Sequence, residues 1–262
     1  MAERSILIGT CGFPLARRRY FEQFPCIEIN ITFYQLPGLA TARAWRAEAA
    51  EVNPDFEFIV KAWQLITHPV NPVTYRRLRE PLHPGHRDRY GFFRPTPQVM
   101  EAWARTEEFC GALGARKVLF QTPPIFRPTP ENLDNLRNFF YRARNRSLQF
   151  MFEPRGQEWT RETAAGICRE CRLIHAVDPL HSPSGYGRFR YYRLHGRHED
   201  GRIDYDYQYR DAELRRILAG CDRMVNYVMF NNSLMYRDAR RMQALLRPRS
   251  GLRPEVEPPG LA

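Results

Sequence analysis

Cys26-Ile27-Glu28-Ile29-Asn30-Ile31-Thr32 is the stretch on which the fold turns. β-Branched isoleucines alternate with polar residues, so Ile27, Ile29 and Ile31 share one face of a strand and Glu28, Asn30 and Thr32 the other. Outward from this strand, seven further β-like runs appear at residues 6–9, 56–61, 117–121, 148–153, 173–177, 189–195 and 224–230. Helix-like stretches lie between most of them, at 41–52, 97–113, 130–144, 160–172, 211–219 and 233–246. Thr96 and Pro97 form an N-cap and first-turn pair for the second of these. Strand–helix alternation predicts a parallel sheet with helices outside it. Eight strands in 262 residues predict α/β architecture closed into a single TIM-type (β/α)8 barrel, with an open doubly wound sheet as the alternative.

The barrel domain is expected to span residues 1–247. Two segments interrupt its rhythm. Residues 68–95 are rich in Pro, Arg and His and read as a long excursion after strand three. Residues 178–188 are too short and too broken by Pro and Gly for a helix, so one outer helix is expected to be missing. The Pro-rich stretch 248–262 is expected to be a disordered tail.

An apolar fraction of 43% and a charged fraction of 26% are globular values. No apolar run approaches the roughly 18 residues that span a bilayer, and the first residues lack the apolar core of a signal peptide. A cytoplasmic protein with no membrane partner is expected. Among six cysteines, only Cys168 and Cys171 have motif spacing, and without a second pair they read as structural thiols on a helix. The net charge is +11 and almost every base is arginine; Lys61 and Lys117 are the only lysines. Such a bias weakens any single Arg cluster as a sign of nucleic-acid contact and draws attention to Lys61.

The helix-facing side of a barrel strand must be apolar, so the polar side of each strand should point into the barrel. That rule turns Glu28, Asn30 and Thr32 inward, and likewise Arg193 with His195 and Glu153 opposite Phe150 and Phe152. Lys61, Gln121, Asp178, Asn231 and Asn232 end or follow other strands. Acids (Glu28, Glu153, Asp178) are balanced by bases (Lys61, Arg155, Arg193), mostly near the C-terminal strand ends that carry active sites in this fold. A purely structural ion-pair plug is the competing reading.

Several of these residues sit in ordered motifs. Gly9-Thr10-Cys11-Gly12-Phe13, Glu28-Ile29-Asn30-Ile31-Thr32-Phe33-Tyr34, Val60-Lys61-Ala62, Ile66-Thr67-His68, Phe120-Gln121-Thr122-Pro123-Pro124, the Glu153, Arg155 and Trp159 spacing, Arg193-Leu194-His195-Gly196 and Phe230-Asn231-Asn232 together resemble the YecE-like family, a domain of unknown function. The resemblance covers residues 9–246 and implies a TIM-type barrel. It departs at Cys11, Phe13, Ile31, Pro154, Gly156 and Glu158, and it implies no settled substrate or mechanism.

Two functions follow as expectations. The first is an enzyme for a small anionic or polyhydroxylated substrate, with Glu28, Lys61, Glu153 and His195 as catalytic candidates. In it Thr10, Asn30, Tyr34, His68, Gln121, Arg155, Trp159, Asp178, Arg193, Asn231 and Asn232 would bind substrate. Acid–base chemistry needs a carboxyl tuned toward neutrality, and Lys61 would oppose an oxyanion or form a Schiff base. The second is nucleic-acid binding or processing by the excursion, where Arg76, Arg77, Arg79, Arg87, Arg89 and Arg94 interleave with Tyr75, Tyr90, Phe92 and Phe93. No nucleotide loop motif is present and no cofactor is expected. A divalent metal stays open because Glu28, Glu153, Asp178, His68 and His195 are suitable ligand types without a compact signature. The sequence fixes no oligomeric state.

Overall fold

Eight parallel strands close into a barrel, turning an apolar face outward to the layer of helices around them. A computed structural model describes residues 4–199 and 201–246, so the tail at 248–262 lies outside the described residues. In chain order the elements are β1 (Ser5–Cys11), α1 (Arg17–Gln23), β2 (Cys26–Ile29), α2 (Ile31–Tyr34), α3 (Leu39–Val52), β3 (Glu57–Lys61), α4 (Gln64–Thr67), α5 (Pro72–Tyr75), a 3-10 turn (Pro84–Arg89), α6 (Pro97–Leu113), β4 (Lys117–Gln121), α7 (Pro130–Arg142) and β5 (Gln149–Glu153). There follow α8 (Arg161–Cys171), β6 (Ile174–Val177), β7 (Arg190–Leu194), β8 (Arg197–Glu199), β9 (Arg202–Asp204), α9 (Asp211–Ala219), β10 (Val225–Phe230) and α10 (Met235–Leu246). Strands β1 to β7 pair in sequence and β10 joins β7 to β1, which closes the barrel. The hairpin β8–β9 stands apart as a two-stranded antiparallel sheet.

All eight expected strands form. The segment between β6 and β7 carries no helix, as its prolines and glycines require. Thr96 caps α6 by accepting from the Val99 amide, and Gly114 ends it in the left-handed region. The sequence reading missed α1 and the β8–β9 hairpin. All six cysteines are free thiols, with Cys168 buried on α8.

Period two sorts the strand residues. Ile8, Ile27, Ile29, Phe58, Val60, Phe120, Phe152, Leu194 and Val228 join the outer core beneath the helices. Ile59, Leu119, Met151, Ala176, Tyr191, Tyr227 and Met229 fill the barrel interior. Below them Glu57 accepts from Lys117 and from the Tyr227 hydroxyl, a polar plug at the N-terminal end. Above them lies the polar layer.

One expectation about β2 is corrected. The strand ends at Ile29, because Asn30 adopts helical dihedrals (φ −72, ψ −26) and the chain turns away at the rim. Ile31 therefore leaves the apolar face and is 57% exposed. Thr32 lies on α2, its hydroxyl donating to the carbonyls of Ile29 and Lys61, and it does not line the interior.

The excursion after β3 folds against the barrel wall. Gly91, Phe92 and Phe93 are three successive residues with positive φ (77, 56 and 54). Their amides tie the loop back, Gly91 to the Leu65 carbonyl and Phe93 to that of Ile66. Phe93 is fully buried among Phe120, Phe126, Phe139, Phe140 and Phe152.

Candidate functional site

Arg193 is the hub of the polar layer and has no exposed surface. Its Nε and Nη2 donate to the two oxygens of Glu28 (2.9 and 2.7 Å), a bidentate pair. Its Nη1 donates to Glu153 Oε2 (2.5 Å) and meets His195 Nε2 at 2.9 Å. The Tyr191 hydroxyl adds a third donor to Glu28 at 2.8 Å. Glu28 is thus enclosed by donors from Arg193 and Tyr191 and lies outside the cavity lining. Truncating either member of the bidentate pair would strand an ion in a dry interior.

Glu153 is spoken for as well. Its Oε1 accepts from Arg155 Nε and Nη2 (3.0 and 2.9 Å). Burial alone would raise its pKa, but Arg193 and Arg155 outweigh burial and hold the carboxyl well below the usual carboxylate range. This direction is opposite to the expected tuning toward neutrality, and the carboxylate holds Arg155 in place.

His195 Nε2 faces two guanidinium donors, Arg155 at 2.6 Å and Arg193 at 2.9 Å. It must accept from them, so the proton of this imidazole sits on Nδ1. Burial, reinforced by Arg155 and Arg193 against the opposing pull of Glu153, keeps the ring neutral. Nδ1 is buried without a hydrogen-bond partner among the described residues, and so is Asp178 Oδ2, which lies 3.7 Å from His198 Nε2. Burial pushes the Asp178 carboxyl up to about 7, against the Leu180 amide that donates to its other oxygen.

A cavity of about 400 Å³ opens above this layer at the C-terminal rim. Asn30, Phe33, Tyr34, Lys61, His68, Thr74, Gln121, Arg155, Tyr205 and Asn231 line it. Asn30 Nδ2 donates to Asn231 Oδ1 at 3.0 Å, joining the ends of β2 and β10. His68 packs edge-on to Phe33, with Nδ1 2.8 Å from the Thr67 hydroxyl. Burial drives its pKa down to about 3, with help from Lys61 and Arg155. Arg77 of the excursion stacks on Tyr34 at 4.4 Å and ties that loop to the cavity.

Lys61 differs from every other base here. Among the described residues its ammonium meets no carboxylate at ion-pair distance; it lies 4.4 Å over the Phe33 ring. No ion pair forms between Lys61 and Glu28 or Glu153, because Arg193 and Arg155 already hold those oxygens. Burial and then the Arg193 charge lower its pKa to about 7, against the pull of Glu28 and Glu153.

Of the residues expected to bind substrate, Asn30, Tyr34, His68, Gln121, Arg155 and Asn231 line the cavity; Arg193, Asp178 and the catalytic candidates Glu28, Glu153 and His195 lie in or beside the layer beneath. Three turn elsewhere. Thr10 has outward strand parity and bonds the Tyr20 hydroxyl and the Gly12 carbonyl. Trp159 donates its indole N–H to the Phe126 carbonyl and packs on Phe126 and Phe152. Asn232 donates to the Tyr207 carbonyl and to Asp238. Tyr205 was missed; it follows the hairpin, stands at the mouth and meets the His195 ring edge-on. The tyrosine alternation Tyr205, Tyr207, Tyr209 was the available signal. Phe33 and Thr74 were missed too, because each looks like an ordinary packing or loop residue in sequence.

One donor set has metal-like convergence: Asp178, His195 and His198 bring one ligand atom each within 4.8 Å of one another. Its fit to a cation is poor. The arginines claim His195 Nε2 and force the proton onto Nδ1, so a metal there would need an imidazolate between three positive charges.

Fold and site together define an α/β barrel with a cationic, amide-rimmed cavity at the C-terminal ends of its strands. The chain belongs to the family described as "Protein of unknown function DUF72", which matches residues 15–260 and accords with the motif resemblance. No curated protein matches the sequence. A DUF72 family protein from Enterococcus faecalis V583 is 20% identical, with 94% of this chain and 99% of that chain covered and a TM-score of 0.67. One from Thermotoga maritima MSB8 is 19% identical, with 93% and 99% covered and a TM-score of 0.63. The fold is shared with enzymes, D-psicose 3-epimerase (10% identity, 91% and 97% covered, TM-score 0.54) and endonuclease IV from Thermus thermophilus (10% identity, 93% and 98% covered, TM-score 0.51). At such identities the likeness is one of fold alone. No described helix is long and apolar enough to cross a membrane.

Proposed function

We propose that this protein is an enzyme that takes a small anionic, hydroxyl-bearing molecule into the cavity at the barrel rim. The observation that carries the reading is charge. Glu28 and Glu153 are neutralised by arginine within the layer, so Lys61 is left as an uncompensated base in the lining. Arg155, held by Glu153 yet partly open to the cavity, would grip a carboxylate or phosphate through its planar fork. Asn30, Gln121 and Asn231 would orient hydroxyls. Lys61, with a pKa of about 7, is the lining group suited to exchange a proton near neutrality. Six free thiols suit a reducing compartment such as the cytoplasm.

The test is thermal unfolding with inorganic phosphate and sugar phosphates. Ligand at a hundred times its Kd should stabilise by about 2.7 kcal/mol. The shift should be lost in Arg155→Ala. Equal shifts in both proteins, or none in either, would remove the cavity from the function.

The nucleic-acid reading loses the feature that made it specific. Tyr75 and Phe93 are buried, and Tyr90 and Phe92 are partly buried against the core, so the aromatics of the excursion serve packing rather than base stacking.

A further inference from the structure

Lys61 occupies an unusual setting: a buried amine that opens on a cavity of about 400 Å³, with an aromatic face beneath it and no carboxylate in ion-pair contact among the described residues. A lysine kept for charge balance would sit against Glu28 or Glu153, and both are already satisfied by arginine. A lysine kept only to hold anions would gain from full solvation, since ammonium is strongly hydrated. Burial next to a second cation is instead how an amine becomes nucleophilic, because both effects favour the uncharged form with its lone pair free.

We propose that Lys61 is a covalent nucleophile and that its substrates are small carbonyl compounds bearing an anionic group, 2-oxo acids or phosphorylated sugars in their open-chain form. This rests on the cavity being the substrate site and names the reactive group of what enters it. The Nζ lone pair attacks the carbonyl carbon, forming a C–N bond as the C=O π pair moves to oxygen. Both amine protons pass to that oxygen, which leaves as water, and a C=N bond remains. Protonation of the imine nitrogen gives a cation in the place where Phe33 presents its ring face, 4.4 Å from Nζ. Arg155 would hold the carboxylate or phosphate, which fixes the carbonyl relative to the amine. The neutral His68 beside Phe33 adds no competing positive charge. The lowered pKa of Lys61 is consistent with the geometry, since it enlarges the share of free amine near neutrality.

The sequence makes the test clean, because Lys117 is the only other lysine and is ion-paired to Glu57 at the far end of the barrel. The full chain is incubated with pyruvate or dihydroxyacetone phosphate, with and without sodium borohydride, and digested for mass spectrometry. The expected result is a borohydride-dependent, saturable adduct on the Lys61 peptide, heavier by the carbonyl compound less one oxygen atom. Trapping should be at least tenfold faster than on Lys117 and absent in Lys61→Met. It should fall as pH drops below about 7. No adduct on Lys61, or equal labelling of both lysines, overturns the proposal. Lactate, which has no ketone or aldehyde carbonyl, separates the two readings. If lactate or phosphate stabilises the protein but nothing is trapped, the anion site stands and the nucleophile falls. If neither anion binds and nothing is trapped, both fall.

Discussion

Lys61 is the residue on which the chemistry turns, and its charge leaves a mark on stability. Its folded pKa, about 7, lies below the ordinary lysine value of 10.5. Burying this amine therefore opposes folding. The penalty is complete below pH 7, shrinks as pH rises and vanishes above 10.5, where the unfolded chain also has a neutral amine. Lys61→Met should accordingly be more stable than the natural protein by on the order of a few kcal/mol at neutral pH and below. The difference should close as pH approaches 10.5, which chemical denaturation across pH will read. A Met variant that is destabilised at neutral pH would mean that Lys61 has a compensating partner. The other ionisable groups of the layer divide by what they touch: Glu28 and Glu153 are held by guanidinium groups, while the buried Oδ2 of Asp178 accepts no hydrogen bond among the described residues and lies 3.7 Å from His198 Nε2.

At the scale of elements, the excursion between β3 and α6 shows how strain is offset by packing. Left-handed dihedrals at Phe92 and Phe93 cost of order 1–3 kcal/mol each. Burial of the Phe93 ring in a cluster of five other phenylalanines holds the loop closed. Phe93→Ala should lower stability by about 3–5 kcal/mol. It should also raise amide exchange across the excursion and loosen the Arg77 contact with Tyr34 at the cavity; a mild loss of stability with unchanged exchange would place the anchor elsewhere. Gly91 has no such latitude, since an added Cβ would stand 2.2 Å from the His68 carbonyl oxygen. The β8–β9 hairpin plays the matching part across the barrel mouth. Gly196 lets its backbone pass close to Asp204, and the chain then delivers Tyr205 to the rim.

For the whole molecule, the net charge of +11 predicts attraction to polyanions without a reading head. Arg76, Arg79, Arg87 and Arg89 are exposed on the excursion while its aromatics turn inward. Nucleic-acid binding measured by fluorescence anisotropy should be weak, indifferent to sequence, and should fall by orders of magnitude between low and physiological salt. Tight binding that survives physiological salt would restore a specific nucleic-acid role.

The barrel was legible because its cause is local. Alternating residues such as Ile27, Glu28 and Ile29 must send one set toward helices and the other inward, and eight such strands fill a domain. The same alternation brought Glu28, Glu153, Arg193 and His195 to one layer. It could not say which of them pair, because pairing depends on side chains up to 165 residues apart and on who reaches a carboxylate first. Arg193 and Arg155 reach first, with rigid forks that match carboxylate geometry, and that outcome leaves Lys61 alone in the cavity. Nor could local pattern place Thr10, Thr32 or Trp159, whose polar atoms are claimed by neighbouring backbone and a tyrosine at the edges of elements. The hairpin that brings Tyr205 over the mouth is likewise a tertiary result, since its short exposed strands bury little and take their place from what lies beneath them.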